Sequence, residues 1–256
     1  MPFTENEGVK IHYKIEGEGI PLVLLYGFMD TLDEWYELGY VESLLDNYML
    51  IIIDLRGHGL SDKPHNSDLY SMKHLTSDII AVLDDLEIEK TYFWGYSMGG
   101  HIGFGLTQYY PERFSAYILG GISPQPFDEE IIKKGDGLRD ILKGGSERFL
   151  EYIESGGTEI TDEVIEAISK FDFKALLAFW SADLIPEKEG YYRKVKAPIM
   201  MYVGEEDGWG HYPRNLEFVK EAKNVTLYSF PEVGHELHYN GDMVIPSVIE
   251  FLKNIK

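Results

Sequence analysis

Apolar and polar positions change rhythm repeatedly along this chain. "VKIHYKIEG", from Val9, switches between apolar and polar at a period of two, as a half-buried strand does. "PLVLLYG" and "YMLIIIDLRG" are short, unbroken apolar runs ended by glycine, which predict strands buried on both faces. "SMKHLTSDIIAVLDDLEI" places Met72, Leu75, Ile79, Val82, Leu83 and Leu86 at helical spacing. "TYFWG" predicts another strand, "GGHIGFGLTQYYP" a helix stopped by Pro111, and "FSAYILGG" a further strand. The alternation resumes near Pro198 with "PIMMYVG" (strand), "YPRNLEFVKEA" (helix), "VTLYSFP" (strand) and "MVIPSVIEFLKNI" (helix). Pro246 is expected in the first turn of that last helix, where a missing N–H costs little. The pattern predicts an α/β fold: a mostly parallel central sheet with helices on both faces.

The middle of the chain breaks this rhythm. "GLRDILKG", "ERFLEYIES", "DEVIEAISKF" and "FKALLAFWSADLI" are helical stretches separated by Gly and Pro signals, with no strand pattern among them. The expected division is a core of residues 1–121 and 198–256 and a helical cap inserted at 122–197.

Length and charge narrow the picture. The 256 residues suffice for one large domain with a sizeable core. Lys and Arg number 23 against 44 Asp and Glu, a formal charge of -21, which disfavours nucleic acid and anionic membranes as partners. No apolar run approaches the roughly 20 residues of a membrane span. "MPFTENEGVK" lacks the basic patch and apolar run of a secretory signal, so cytoplasm is the expected location. With no cysteine, disulfides and thiolate chemistry are excluded. No histidine pair has metal-ligand spacing, so neither metal nor cofactor is expected.

One motif carries chemistry. Gly95-Tyr96-Ser97-Met98-Gly99 matches G-x-S-x-G directly after a predicted strand and at the start of a predicted helix, the context of a nucleophile elbow. A serine there must occupy a tight, strained turn, and Gly95 and Gly99 make room for it. The helix that follows aims its N-terminal amides at the serine, where negative charge would develop.

With "LLYGFMDTLDEW", "IIIDLRGHGLSDKP", "WGYSMGGHIG", "MYVGEEDGWGHYP" and "FPEVGHELHYN" in this order, the chain resembles the α/β-hydrolase fold superfamily, specifically its capped esterases and lactonases. The resemblance runs from about Val9 to Lys256. It implies the chain order nucleophile, acid, histidine: Ser97, Asp207 and His235. Asp207 stands three residues after Gly204, the family's position, with Glu205 and Glu206 as adjacent competitors. His235 follows the last predicted strand, and His238 reads as a surface or supporting residue at a turn. The oxyanion donors implied are the backbone N–H groups of Phe28 and Met98. The family usually has histidine where Tyr26 stands, so Tyr26 either braces the loop through its hydroxyl, lines the substrate pocket, or packs as an ordinary aromatic. Asp54, Arg56 and Ser61 are expected to brace a loop, as is the motif holding His58, while His101 is expected to pack or face solvent.

The cap offers Phe127, Phe149, Tyr152, Phe171, Phe173, Phe179, Trp180, Tyr191 and Tyr192, of which Trp180 is the candidate pocket residue. The resemblance implies a serine hydrolase for a small or medium carboxylic ester, thioester or lactone. A carbon–carbon bond hydrolase, an acyltransferase or a perhydrolase would keep the same triad. A non-catalytic ligand-binding member of the fold remains a further alternative. The oligomeric state is not legible.

Overall fold

A computed structural model describes residues 2–124, 129–182, 184 and 195–255. The seven predicted strands and one further short strand form one eight-stranded sheet in the order β1-β2-β4-β3-β5-β6-β7-β8. Its strands are β1 (Phe3–Asn6), β2 (Val9–Glu16), β3 (Ile20–Leu25), β4 (Tyr48–Ile53), β5 (Thr91–Tyr96), β6 (Phe114–Gly120), β7 (Ile199–Gly204) and β8 (Val225–Phe230). From β4 to β8 every neighbouring pair is parallel, whereas β1–β2 and β2–β4 are antiparallel. The unbroken apolar runs belong to central strands: Leu22–Leu25, Leu50–Ile53 and Ile199–Val203 are all buried. Two-sided burial explains why they do not alternate.

The helices are α1 (Glu34–Glu37), α2 (Tyr40–Leu44), α3 (Met72–Asp85), α4 (Met98–Tyr109), α5 (Glu129–Lys143), α6 (Gly145–Ser155), α7 (Asp162–Ser169), α8 (Phe173–Trp180), α9 (Tyr212–Glu221) and α10 (Gly241–Lys253). On one side α3 packs against β1, β2 and α4; on the other α10 packs against α2 and β7. Among the described residues no helix is long and apolar enough to cross a membrane.

The "DLRGHGLSD" stretch is scaffold. Arg56 and Asp78 form a fully buried pair, Nε to Oδ2 at 2.7 Å and Nη2 to Oδ1 at 2.6 Å, which ties the loop after β4 to α3. Asp54 accepts hydrogen bonds from the Leu32 and Leu60 amides (3.1 and 3.0 Å) and faces His12 Nδ1 at 2.7 Å. Ser61 donates to the Asp54 carbonyl and accepts the His12 amide.

Between β6 and β7 the described residues hold helices α5–α8 and no strand. Their aromatics sort into two groups. Phe149 lies 6.2 Å from Tyr152 and 5.8 Å from Phe173, and Phe171 lies 6.4 Å from Phe173, a half-buried cluster whose Tyr152 end is exposed. Phe179 and Trp180, at the end of α8, instead pack against the body of the molecule. Phe127, Tyr191 and Tyr192 lie outside the described residues.

Candidate active site

β5 ends at Tyr96, α4 begins at Met98, and Ser97 is the whole connection. Its backbone has φ 51° and ψ −111°, a strained conformation for a residue with a side chain. Such an abrupt reversal brings strand and helix into contact. A Cβ on Gly95 would run into the Gly99 carbonyl, and one on Gly99 into the Leu25 carbonyl. The turn is pinned by Ser97 N–H to Gly120 O (2.8 Å) and by Gly99 N–H to Tyr26 O (3.0 Å). The second bond locks the elbow to the loop after β3.

Three side chains meet above this turn. His235, in a single 3-10 stretch after β8, sets Nε2 2.9 Å from Ser97 Oγ. Its Nδ1 faces both carboxylate oxygens of Asp207 at 2.9 Å. A carboxylate only accepts, so Nδ1 carries the proton and Nε2 is free to receive one from the serine. Asp207 is buried and oriented by the Trp209 and Gly210 amides, which donate to Oδ1 at 2.8 and 2.7 Å. Its neighbours Glu205 and Glu206 are exposed, and Glu205 accepts from Ser229 on β8 instead.

Met98 is the first residue of α4, so its amide has no intrahelical acceptor. Gly27 runs beside the serine, since a Cβ built on it would lie 3.7 Å from Ser97 Cβ. Phe28 follows at once in a tight turn whose next residue, Met29, has φ 69°. Met98 thus adjoins Ser97 in the chain, and Phe28 adjoins the Gly27 that runs beside it.

Tyr26 departs from the pocket-lining expectation. It is fully buried, and its hydroxyl donates to Asp54 Oδ1 (3.1 Å) while accepting the Leu55 amide (3.2 Å). It turns beneath the loop rather than into the site, because the buried Asp54 carboxylate needs donors. Trp180 sets its ring 4.8 Å from Phe28, with its indole N–H donated to Gly135 O at 2.7 Å.

Three of the other histidines, His58, His101 and His238, are buried in the fold. His238 is buried rather than at the surface, stacked on Tyr96 at 4.2 Å and on Tyr40 at 4.6 Å. Burial, helped by nearby His235, pushes it down to about 3. His58 packs against Phe28 and Phe179, His101 bonds Leu184 O at 2.9 Å, and burial lowers each to about 4. All three are therefore neutral near pH 7. Among the described residues no group of three or more His, Asp or Glu is placed to hold a metal ion.

Sequence patterning did not single out Trp209 or Asp30. Trp209 meets Trp180 edge-on at 6.2 Å. Asp30 Oδ2 lies 2.8 Å from the position of a Cβ on Gly27, the same position that Ser97 Cβ approaches. Desolvation, then the charge and hydrogen bond of Glu34, push Asp30 up to about 8.

Known proteins share this arrangement of strands and helices. The family described as alpha/beta hydrolase fold matches residues 20–145. A Bacillus subtilis protein assigned as 2-succinyl-6-hydroxy-2,4-cyclohexadiene-1-carboxylate synthase is 27% identical over 272 residues, covering 98% of each chain. The 3-oxoadipate enol-lactonase 2 of Acinetobacter baylyi is 27% identical over 78% of this chain and 77% of its own. Among solved structures, MGS-M2, an alpha/beta hydrolase enzyme from a Medee basin deep-sea metagenome library, has a TM-score of 0.85 at 18% identity, covering 100% of this chain and 98% of its own. The chain has the α/β-hydrolase fold.

Proposed function

We propose that this chain is a serine hydrolase that cleaves a small or medium carboxylic ester, thioester or lactone through an acyl-enzyme on Ser97. The observation that carries this reading is the unbroken relay from Ser97 Oγ to His235 to Asp207, each link at 2.9 Å. A serine hydroxyl is a weak nucleophile until a base takes its proton. His235 Nε2 takes it as Oγ attacks the carbonyl carbon. Asp207 holds the proton-bearing tautomer and stabilises the imidazolium. The oxyanion is met by the Phe28 and Met98 amides, worth about 3–4 kcal/mol per donor in such sites. His235 then protonates the departing alcohol or thiol. Water enters, gives its proton to His235, and releases the acid with Ser97 restored.

Residues 122–197 act as the cap over this site, and the protein works in the cytoplasm on a small-molecule substrate. Every step uses protein groups and water. A second reading is supported by the match along 98% of both chains to a protein assigned as a synthase: the same triad would then serve a different bond.

The test is a hydrolase substrate panel run on the wild type and on Ser97→Ala, with fluorophosphonate labelling beside it. The acyl-transfer reading expects ester turnover and labelling in the wild type and neither in the variant. Undiminished hydrolysis by Ser97→Ala would overturn it. Tight ligand binding without labelling would move the chain to the non-catalytic alternative.

A further inference from the structure

The sheet ends at β8, and that end is open. β8 has one neighbour, β7, in an unbroken parallel register from Val225 to Phe230. The Ile199 amide donates to Asn224 O and the Glu205 amide to Phe230 O, both at 2.9 Å. Even-numbered residues of β8 therefore turn their backbone groups to β7, and odd-numbered residues turn theirs outward. At the two limits of this outward row, the Val225 amide is taken by Ala222 O (3.3 Å), and Pro231 has no N–H to offer. Between them lie the N–H and C=O groups of Leu227 and Ser229, which have no backbone partner among the described residues. Edge strands of folded proteins are usually guarded by a charge, a proline or a bulge. The strand VTLYSF has none of these.

Its surroundings depart from the acidity of the rest of the molecule. Residues 212–230, which make α9 and β8, hold Arg214, Lys220 and Lys223 against Glu217 and Glu221, in a chain of formal charge -21. A concavity of about 510 Å³ runs beside the strand, bounded by Thr226 and Tyr228 and by Phe251 and Ile255 near the C-terminus, and no residue lining it is charged. Two copies can approach here with less repulsion than the net charge implies. The two ends of β8 also differ in sign. Exposed Lys223 stands just before the strand and exposed Glu232 just after it.

We propose that β8 is the interface of a two-fold homodimer, in which two copies of this chain join their β8 edges antiparallel into one continuous sheet with Tyr228 on the axis. Only this register satisfies every free group: Leu227 of each copy exchanges both bonds with Ser229 of the other. It also sets Asn224 of one copy opposite Glu232 of the second, which brings the neighbouring Lys223 to that carboxylate. The contact is self-complementary and consumes the whole free edge, so it closes as a dimer and does not propagate. It is independent of the acyl-transfer reading of Ser97.

The chain has no cysteine, so one introduced thiol reports on one position. Tyr228→Cys places two thiols across the axis at a non-hydrogen-bonded pair, where Cα atoms about 4.5 Å apart are within disulfide reach. Thr226→Cys is exposed on the same strand but lies opposite Phe230 of the second copy, so its two thiols sit about 13 Å apart along the strand. Under air oxidation Tyr228→Cys is expected to form a disulfide-linked dimer about 10-fold faster than Thr226→Cys. Sedimentation velocity of the wild type at micromolar concentration is expected to give twice the mass of one chain. Tyr228→Lys sets like charges directly opposite and is expected to sediment as a monomer with an unchanged circular dichroism spectrum. Mixing it with Tyr228→Glu is expected to restore the doubled mass. A monomeric wild type would overturn the proposal whatever the variants do. So would a wild-type dimer in which Tyr228→Cys crosslinks no faster than Thr226→Cys, or in which Tyr228→Lys remains dimeric, since the interface would then lie elsewhere.

Discussion

The hydroxyl of Tyr96 donates a hydrogen bond to the main-chain carbonyl of His235. The residue just before Ser97 thus anchors the backbone of His235, which lies 138 positions beyond Ser97 in the chain. Its ring is clamped as well, stacked on His238 at 4.2 Å and on Tyr202 at 5.9 Å. Trp94 donates to the Tyr202 hydroxyl at 3.0 Å, so the support continues down β5 and across to β7. Tyr96→Phe keeps the ring and removes only the anchor. Small displacements of a catalytic group are costly, and kcat is expected to fall about 10-fold with KM nearly unchanged. Steady-state kinetics on a short activated ester checks this. An unchanged kcat would show that the stacked rings hold His235 without the hydroxyl.

The strain at Ser97 predicts a stability difference between two variants at this position. At φ 51° any side chain beyond hydrogen is crowded, and alanine inherits the crowding while glycine does not. Ser97→Gly is expected to be more stable than Ser97→Ala by about 1 kcal/mol, after allowing for glycine's greater freedom in the unfolded chain. Urea denaturation of both variants measures it. Equal midpoints would mean that the turn relaxes around alanine.

Buried ionisable groups set opposing slopes in stability against pH. His58, His101 and His238 fall from an ordinary 6.5 to about 4, 4 and 3 in the fold, because burial disfavours their charged forms. Between those values and 6.5 the unfolded chain binds more protons, so their contribution is lost as pH falls. Asp30 is the reverse: desolvation and Glu34 raise it from 3.8 to about 8. The native state then holds the extra proton, and stability is lost as pH rises through that window. Three histidines outweigh one carboxyl below about 6.5, and the carboxyl acts alone above it, so these groups together favour maximal stability near pH 6.5. Asp30→Asn removes the alkaline limb. Thermal midpoints at pH 6.5 and 9 should differ clearly in the wild type and much less in the variant.

The parts of the molecule legible in the sequence are those whose signal is local. β3 to β7 announce themselves as apolar runs because both faces of each strand are buried or nearly so. β1 does not, for it has only four residues, alternates between exposed and half-buried, and reaches the sheet through the left-handed Glu7–Gly8 turn. α1 and α2 are four and five residues long, too short to display a helical period. Ser97 stands out because its turn demands glycines on both sides. Trp209 and Asp30 meet the site only through contacts between distant segments, and no spacing along the chain encodes that. His238 illustrates the same limit: "HELHY" carries no period, and its burial comes from Tyr40 and Tyr96.

Tyr26 shows how one substitution in a motif is absorbed, and it yields the last prediction. Asp54 is buried between the loops after β3 and β4, and its oxygens need donors from both. The Tyr26 hydroxyl supplies one and at the same time accepts the Leu55 amide, joining the loop that carries Phe28 to the scaffold around Arg56. Tyr26→Phe leaves a buried N–H without its acceptor and a buried carboxylate short of a donor. The expected cost is about 1–3 kcal/mol of stability. Because the Leu32 amide still holds Asp54, the loop should keep its course and activity should fall less than in Tyr96→Phe. Chemical denaturation and kinetics on the same preparations separate the two effects. A variant as stable as the wild type would mean that water replaces the hydroxyl, while a larger loss of kcat than in Tyr96→Phe would mean that Tyr26 sets the position of the Phe28 amide directly.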